Sequence, residues 1–217
     1  MKHLSIFLLL LVACSLFASE YEVGDHELLL MPTAYTMPKG ASYFTDYELV
    51  FINYTRAFTS TTHVGVFSLF PITTDFVETI SVGVKQQYFR SPNVASAFWS
   101  NYTPKMGLIM LGNVVSLGRD TKTFHLGVAG AHNKDNPDWE FFFLVGTALK
   151  ASRRLTIIAE YSNSNSLIED EEFKGLLSLG VRFRGAKISW ELGGIRPLQS
   201  SGDFLFFPFL KGTFYFN

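Results

Sequence analysis

The chain has 217 residues, enough for one sizeable domain and awkward for two. Its 18 Lys and Arg residues balance 19 Asp and Glu residues, so no basic excess suggests nucleic acid, and we expect none as a partner. Charged residues make up 17% of the chain, below the roughly 25% of a typical soluble domain, and aromatic residues make up 16%. This composition favours a protein whose outer surface meets something other than water, although a β-rich soluble core produces the same bias.

The N-terminus reads as an export signal. A basic start at residues 1–3 precedes an apolar run at residues 4–13, which is shorter than the ~20 residues of a membrane-spanning helix. We predict a signal peptide at residues 1–18, cleaved after Ala18, and a single barrel domain at residues 19–217. An alternative stays open, because residues 11–14 resemble a lipoprotein processing box in which Cys14 carries the lipid.

Beyond the leader, the chain alternates apolar and polar residues, which predicts strands rather than helices. The clearest stretches, in chain order, are residues 79–87, 123–131, 154–162, 176–184, 187–193 and 204–216. Short turns are predicted at residues 58–61, 91–93, 119–122, 151–153 and 184–187. Between them lie links that are mostly longer or more polar, at residues 71–75, 101–105, 133–138, 163–172 and 196–203.

The alternation of short and long links is typical of outer-membrane barrels, whereas a β-sandwich has no reason to sort its links in this way. The pattern requires one further strand within residues 21–31. We therefore predict an all-β fold, a closed antiparallel up-and-down transmembrane β-barrel of about twelve strands, with about ten as the alternative.

The end of the chain carries a second barrel signal. Leu210, Gly212, Phe214 and Phe216 alternate up to Asn217. This resembles the aromatic C-terminal strand by which barrel-insertion machinery recognises outer-membrane barrels, so that machinery is an expected partner. The extra Asn217 after the last Phe departs from the usual pattern.

Several pieces of the chain also resemble an uncharacterised family of exported bacterial outer-membrane β-barrel proteins. The likeness begins with Pro32-Thr33-Ala34 and Pro38-Lys39-Gly40. It rests on residues 28–34, 37–40, 43–49, 152–155 and 207–210, and spans most of the mature chain. The resemblance implies an outer-membrane barrel without an established activity, so it contributes no catalytic residues.

No motif of catalysis, metal binding or phosphate binding is visible, so we predict no catalytic residue, no metal site and no cofactor. His63 and His125 fall on predicted inward faces, and His26 and His132 lie near strand ends. Outer-membrane acyl hydrolases need a Ser–His pair on the lipid-facing side. His125, Ser178 and Ser189 are all predicted to point inward, which disfavours such an enzyme.

Charged residues on the predicted inward faces are the better lead to function. The candidates are Asp46, Glu48, Lys85, Glu160, Arg182, Arg184, Lys187 and Glu191. If these charges pair across the lumen, the barrel is plugged and structural; if they line a wet path, it is a narrow channel. Arg182, Arg184 and Lys187 surround one tight turn, and that mouth is expected to favour anions. A separate acidic run at residues 169–172 is either a solvated loop or a site for divalent cations.

The sequence thus predicts a non-enzymatic barrel in the bacterial outer membrane, in contact with lipid, that is structural or forms a narrow pore for small polar solutes. Two alternatives remain: a membrane-embedded lipid acyl hydrolase of the phospholipase or lipid A deacylase type, and a secreted soluble β-barrel that binds an apolar ligand.

Overall fold

The computed structural model describes residues 22–71, 74–119, 121–164, 173–199 and 206–217. These residues form twelve antiparallel strands in a closed barrel, in which each strand pairs with its chain neighbours and β1 pairs with β12. The strands are β1 Ser42–Tyr47, β2 Phe51–Ala57, β3 Thr62–Leu69, β4 Ser81–Arg90, β5 Val94–Thr103, β6 Leu108–Arg119, β7 Lys122–Asn133, β8 Asn136–Lys150, β9 Leu155–Ser164, β10 Phe173–Arg184, β11 Ile188–Gln199 and β12 Phe207–Phe216. The predicted fold class, with about twelve strands, is confirmed.

Little of the described part of the chain is helical. A short 3-10 helix, Thr74–Thr79, lies between β3 and β4. No helix in the described ranges has the length and apolar character of a membrane span.

The barrel has an apolar outer face and a polar inner face. Along β10 and β11 the exposed residues are Phe183, Trp190 and their alternating neighbours, while Arg182 and Glu191 are 1% and 0% exposed. Exposed aromatic and aliphatic side chains follow the same alternation on β4, β5, β7 and β8. A soluble barrel places its apolar residues inside, so this arrangement is the one expected for strands in lipid.

The two ends of the barrel differ in their links. Residues 58–61, 91–93, 120–121, 151–154 and 185–187 join strands at one end, which we call the short-turn end, and β1 starts and β12 ends there. At the opposite end of the barrel, the loop end, strands β3, β5, β9 and β11 end, and residues 70–80, 104–107, 165–172 and 200–206 separate them in sequence from the strands that follow. The links at residues 48–50, 104–107 and 134–135 are no longer than the turns of the short-turn end, so the predicted difference in length holds for three of the six links at the loop end.

The predicted first strand at residues 21–31 is wrong. Within the described part of that range, the backbone forms turns and bends, with an isolated bridge between Glu27 and Pro32. The missing strand comes instead from residues 40–57, which divide into β1 and β2. Glu48 and Leu49 turn the chain with positive φ angles of 58°, and the Val50 N–H donates to the Tyr47 carbonyl at 2.9 Å.

Residues 22–41 fill the lumen, and we call them the plug. The plug joins β1 at the short-turn end, where the Gly40 N–H donates to the Ala57 carbonyl at 2.8 Å. It turns back where the Leu28 N–H donates to the Met31 carbonyl at 2.8 Å, with Leu30 at the tip, and returns to the short-turn end at Glu22. The plug is therefore a hairpin inserted from the short-turn end.

Apolar packing seats the hairpin. Leu28, Leu29 and Met31 are buried against small or apolar lumen residues, namely Ala95, Ala97, Val114, Ile158 and Phe209. A barrel of about eight strands is filled by its own side chains, and one of about sixteen leaves a channel. Twelve strands enclose more space than their side chains occupy, and the hairpin takes up that space. The predicted leader at residues 1–18, with Cys14, lies outside the described residues.

Candidate functional site: the interface between plug and lumen

Two lumen cations hold the plug by its backbone. Arg182 Nη2 donates to the carbonyls of Glu27 and Leu28 at 2.7 and 3.0 Å. Lys211 Nζ donates to the carbonyls of Leu28 and Leu29 at 2.6 and 2.9 Å. These plug residues have no strand partner, and buried backbone carbonyls need a donor. The charged side chains supply it.

The same cations belong to a buried ionic cluster. Arg182 Nε lies 2.6 Å from Glu191 Oε1, and Lys211 Nζ lies 2.5 Å from Glu191 Oε2. Lys211 also lies 3.2 Å from Glu27 Oε1, while Tyr47 donates its hydroxyl to Glu27 Oε2 at 2.8 Å. Two positive and two negative charges are thus matched out of water, as buried charges require.

Glu160 and Lys85 bind the two edges of the plug tip. Glu160 accepts the N–H groups of Leu30 and Met31 at 3.1 Å. On the other side, Lys85 Nζ donates to the carbonyls of His26 and Thr33 at 2.9 and 3.1 Å. The Glu160 carboxylate thus accepts from backbone amides of the plug, and the Lys85 amine donates to backbone carbonyls of the plug.

Acidic plug residues meet basic barrel residues at the short-turn end. Arg184 pairs with Glu22 and, at 2.7 Å, with Asp25, and Lys150 lies 2.7 Å from Glu22. Burial alone raises the pKa of Glu22. The hydrogen bond from Lys150 and the charge of Arg184 outweigh that effect, so the pKa of Glu22 lies below its ordinary value.

A Ser–His pair also lies under the plug. Ser116 Oγ lies 2.7 Å from His125 Nδ1, and His125 Nε2 lies 2.9 Å from Thr123 Oγ1. The Ala34 N–H of the plug donates to Ser116 Oγ at 2.8 Å. Both residues of the pair are buried and inward. The pair therefore lies away from the lipid side, where an acyl hydrolase of the predicted type would need it.

The predicted lumen charges divide into two groups. Those that face the lumen are Lys85, Glu160, Arg182, Arg184 and Glu191. Asp46, Glu48 and Lys187 lie outside it, which corrects the prediction. Asp46 shares the outer face of β1 with Phe44, since Thr45 is the buried neighbour, and it accepts the Leu49 N–H at 2.8 Å. Glu48 and Lys187 are exposed in turns.

The expected anion-favouring mouth is also corrected. Arg182 is matched by Glu191 and Arg184 by the plug carboxylates, so the turn beside Lys187 presents little unmatched positive charge to the lumen.

Several residues of the site were missed by the sequence reasoning. They are Glu22, Asp25, Glu27, Lys150 and Lys211. Lys211 carried a usable signal, because it lies between the outward Leu210 and Gly212 and alternation therefore places it inside. The plug residues Glu22, Asp25 and Glu27 carried no such signal, because an acidic segment that precedes a barrel can lie inside or outside the lumen.

Cavities remain on both sides of the plug. One of about 90 Å³ lies at the short-turn end, between Glu22, Arg90 and Arg184. On the loop-end side, one of about 180 Å³ is mostly apolar, with Met110, Phe142 and Leu144 above the plug tip. Another of about 270 Å³ lies beside the tip against β2 to β5. The plug lies between the two ends of the lumen.

Among the described residues, no group of three or more His, Cys, Asp or Glu is placed to hold a metal ion. The acidic run at residues 169–172, predicted as a solvated loop or a site for divalent cations, lies outside the described residues.

No family model matches the sequence, and no curated protein matches it. Among solved structures, a chain described under "Unveiling the Mechanism Behind the in-meso Crystallization of Membrane Proteins" is similar, with a TM-score of 0.53, 11% identity, and coverage of 82% of this chain and 83% of that one. A mutant porin of Rh. blastica gives a TM-score of 0.42 at 9% identity, covering 76% of this chain and 55% of the porin. A loop-deletion mutant of OmpT, an outer membrane protein of Vibrio cholerae, gives 0.41 at 13% identity, covering 76% and 62%. The chain thus spans little more than half of that porin, and the first similarity shows a shared fold.

Proposed function

We propose that this protein is a bacterial outer-membrane barrel that acts as a narrow, non-enzymatic pore for small polar solutes and is held closed by its plug. The observation that carries the proposal is the polar inner wall. Its charged groups bind the plug largely through backbone atoms. If the plug leaves, Arg182, Lys211 and Glu160 face a lumen that water can fill, and the wall remains compatible with that state.

A purely structural barrel is the competing reading. Such a barrel needs its lumen filled permanently, and apolar packing achieves this without charged groups. The plug combines an apolar seat at Leu28 and Leu29 with hydrogen bonds that water can replace. This combination favours a closed state that can open.

The apolar outer face of the strands determines what the barrel contacts in this proposal. Exposed side chains such as Phe183, Leu192 and Trp190 contact the acyl chains of outer-membrane lipid in this proposal. Leu210 and Phe216 of β12 face outward as well, and they form the surface offered to the barrel-insertion machinery.

The test is conductance in planar lipid bilayers. Leu28→Asp combined with Leu29→Asp places carboxylates where both leucines are buried, and an unpaired buried carboxylate costs several kcal/mol. We expect this double variant to release the plug while the barrel wall stays unchanged. Leu49→Asp is the control, because Leu49 is 68% exposed in the turn between β1 and β2.

The expected result is a nearly silent wild type, discrete channels in the double variant, and wild-type behaviour in the control. Heat-modifiable gel mobility verifies that each barrel has folded. A folded double variant without conductance would support the structural reading instead. A wild type that conducts as well as the double variant would show that the plug does not close the lumen.

A further inference from the structure

The cavity beside the plug tip has the features of a binding site. This cavity, the solute cavity, has a volume of about 270 Å³ and lies between the plug and the wall of β2 to β5. Its lining includes His63, Lys85, Trp99 and Asn101. The volume is close to the lower end of the ~300–1,000 Å³ of small-molecule sites.

Two glycines lie in the wall of the cavity. Gly65 of β3 and Gly83 of β4 are register partners, and both face inward. A Cβ at Gly65 would collide with the Thr55 hydroxyl, and one at Gly83 would lie 3.6 Å from Asn101 Oδ1. Glycine at this pair therefore lets the polar side chains of the neighbouring strands lie close against the wall.

Buried polar groups on the lining have no partner among the described protein groups. His63 is 2% exposed, and its Nε2 accepts the Met37 N–H at 2.7 Å, which assigns the ring proton to Nδ1. That Nδ1, Trp99 Nε1 and Asn101 Oδ1 are buried without a hydrogen bond. A buried polar group left unpaired costs about 1–3 kcal/mol, so a ligand with two acceptors and one donor is favoured here.

The cavity also holds the amino group of a lysine. Lys85 donates to two neutral carbonyls of the plug, and no carboxylate of the described residues lies within ion-pair distance of it. Glu27 faces the same cavity, but its carboxylate is matched by Lys211 at 3.2 Å and by the Tyr47 hydroxyl. The group that the cavity leaves to pair with an acidic ligand is therefore the Lys85 amine.

We propose that the solute cavity binds a small hydroxylated carboxylate of about the size of a sugar acid. Its carboxylate pairs with Lys85, its oxygens accept from His63 and Trp99, and one hydroxyl donates to Asn101. The inference deepens the proposed pore by naming a class of solute. It also stands as a binding property of the closed barrel.

The test is isothermal titration calorimetry on the full-length protein in detergent, with D-glucuronate as the probe and D-glucose as its neutral counterpart. Hydrogen bonds to charged groups are worth about 1.5–3 kcal/mol, so glucuronate should bind about 10- to 100-fold more tightly than glucose. Lys85→Gln keeps an N–H for the plug carbonyls and removes the charge. It should abolish this preference.

Trp99→Phe keeps an aromatic ring and removes the indole N–H. It should weaken glucuronate binding about 3- to 10-fold, as expected for one neutral hydrogen bond. Lys105→Gln, at an exposed lysine of the link between β5 and β6, is the matched control and should change nothing. If Lys85→Gln fails to fold, the comparison of the two sugars and Trp99→Phe still decide the outcome.

No saturable binding of glucuronate to the folded wild type would overturn the inference. Equal affinity for glucose, or an unchanged preference in Lys85→Gln, would overturn it too. The pore proposal fails separately: binding without conductance in the plug-release variant would leave a solute-binding structural barrel, and conductance without binding would leave a pore for another solute.

Discussion

At the scale of single residues, the interior depends on charges that are matched in groups. Arg182 and Lys211 share Glu191, and each also holds plug carbonyls. Removing one member of a buried ion pair leaves its partner uncompensated, which costs about 3–5 kcal/mol. The cluster is thus a point where barrel and plug are stabilised together.

Glu191→Gln is expected to lower the free energy of unfolding by about 3–5 kcal/mol, because Arg182 and Lys211 then lie together with a single carboxylate, that of Glu27. Urea titration of the barrel in lipid vesicles, followed by tryptophan fluorescence, measures the change. Glu48→Gln, at an exposed turn residue, should change it by less than about 0.5 kcal/mol. A loss of that small size for Glu191→Gln would contradict the role of the cluster.

In the proposed pore, Glu22 should give the closed state a dependence on pH. Its pKa in the folded protein lies below the ordinary 4.5, despite burial, because of Lys150 and Arg184. A lowered pKa stabilises the folded contact above pH 4.5, and this stabilisation is lost as pH falls through the folded value. Channel openings of the wild type in bilayers should therefore become more frequent below pH 4.5.

The matched variant for that experiment is Glu22→Gln. It should open more often at neutral pH and show a smaller further rise in acid, whereas Glu48→Gln should titrate like the wild type. A Glu22→Gln barrel with the full acid response would show that Glu22 does not latch the plug.

The sequence predicted residues of the interior wherever strand alternation was regular. Arg182 and Glu191 follow directly from the apolar faces of β10 and β11. The predictions for Asp46 and Glu48 were wrong because the sequence shows no turn signal within residues 40–57, and the apolar residues of β1 do not alternate clearly. Tyr43 and Tyr47, with the aromatic character of a lipid face, point inward to His26 and Glu27.

At the scale of elements, the turn between β1 and β2 explains why the sequence concealed a strand. Both central residues have positive φ, the geometry of a type I′ turn, which favours Asn-Gly. Here the two positions hold Glu48 and Leu49. No turn signal was therefore visible, and the strand count was completed from residues 21–31 instead.

Replacing Glu48 and Leu49 by Asn and Gly should stabilise the barrel by about 1 kcal/mol, because side chains other than Asn and Asp adopt positive φ at a cost. The same urea titration in vesicles measures this gain. Introducing Asn-Gly at Ser152 and Arg153, in the link between β8 and β9 where no positive φ occurs, should give no gain. An unchanged or lower stability of the first variant would mean that the β1–β2 turn is not strained.

The position of the plug could not be predicted from hydrophobic periodicity, for a different reason. Leu28, Leu29 and Met31 form an apolar run that is compatible with a buried strand, and a short run of this kind does not distinguish a strand from a segment packed inside a barrel. What decides its position is the space that twelve strands enclose and the set of lumen charges that matches its backbone. Both depend on residues far away in the chain.

At the scale of the whole molecule, the protein combines an apolar exterior, a polar wall and an inserted hairpin. Charged side chains of the wall form hydrogen bonds with backbone groups of the hairpin that have no partner in a strand. These side chains are Glu160, Lys85, Arg182 and Lys211. In the proposed pore, the apolar exterior contacts lipid, and the fit between wall and hairpin keeps the lumen closed. The central claim is that the hairpin occupies the lumen of the folded barrel.

Amide hydrogen exchange, read by mass spectrometry on the full-length barrel in lipid vesicles, tests this claim most directly. The amides of Leu28, Leu30, Met31, Thr33 and Ala34 all donate hydrogen bonds inside the lumen. In the wild type these amides should exchange as slowly as the amides of β9 and β10. In the variant that combines Leu28→Asp with Leu29→Asp, they should exchange much faster. Exchange in the wild type as fast as in the exposed turn at residues 58–61 would contradict the account.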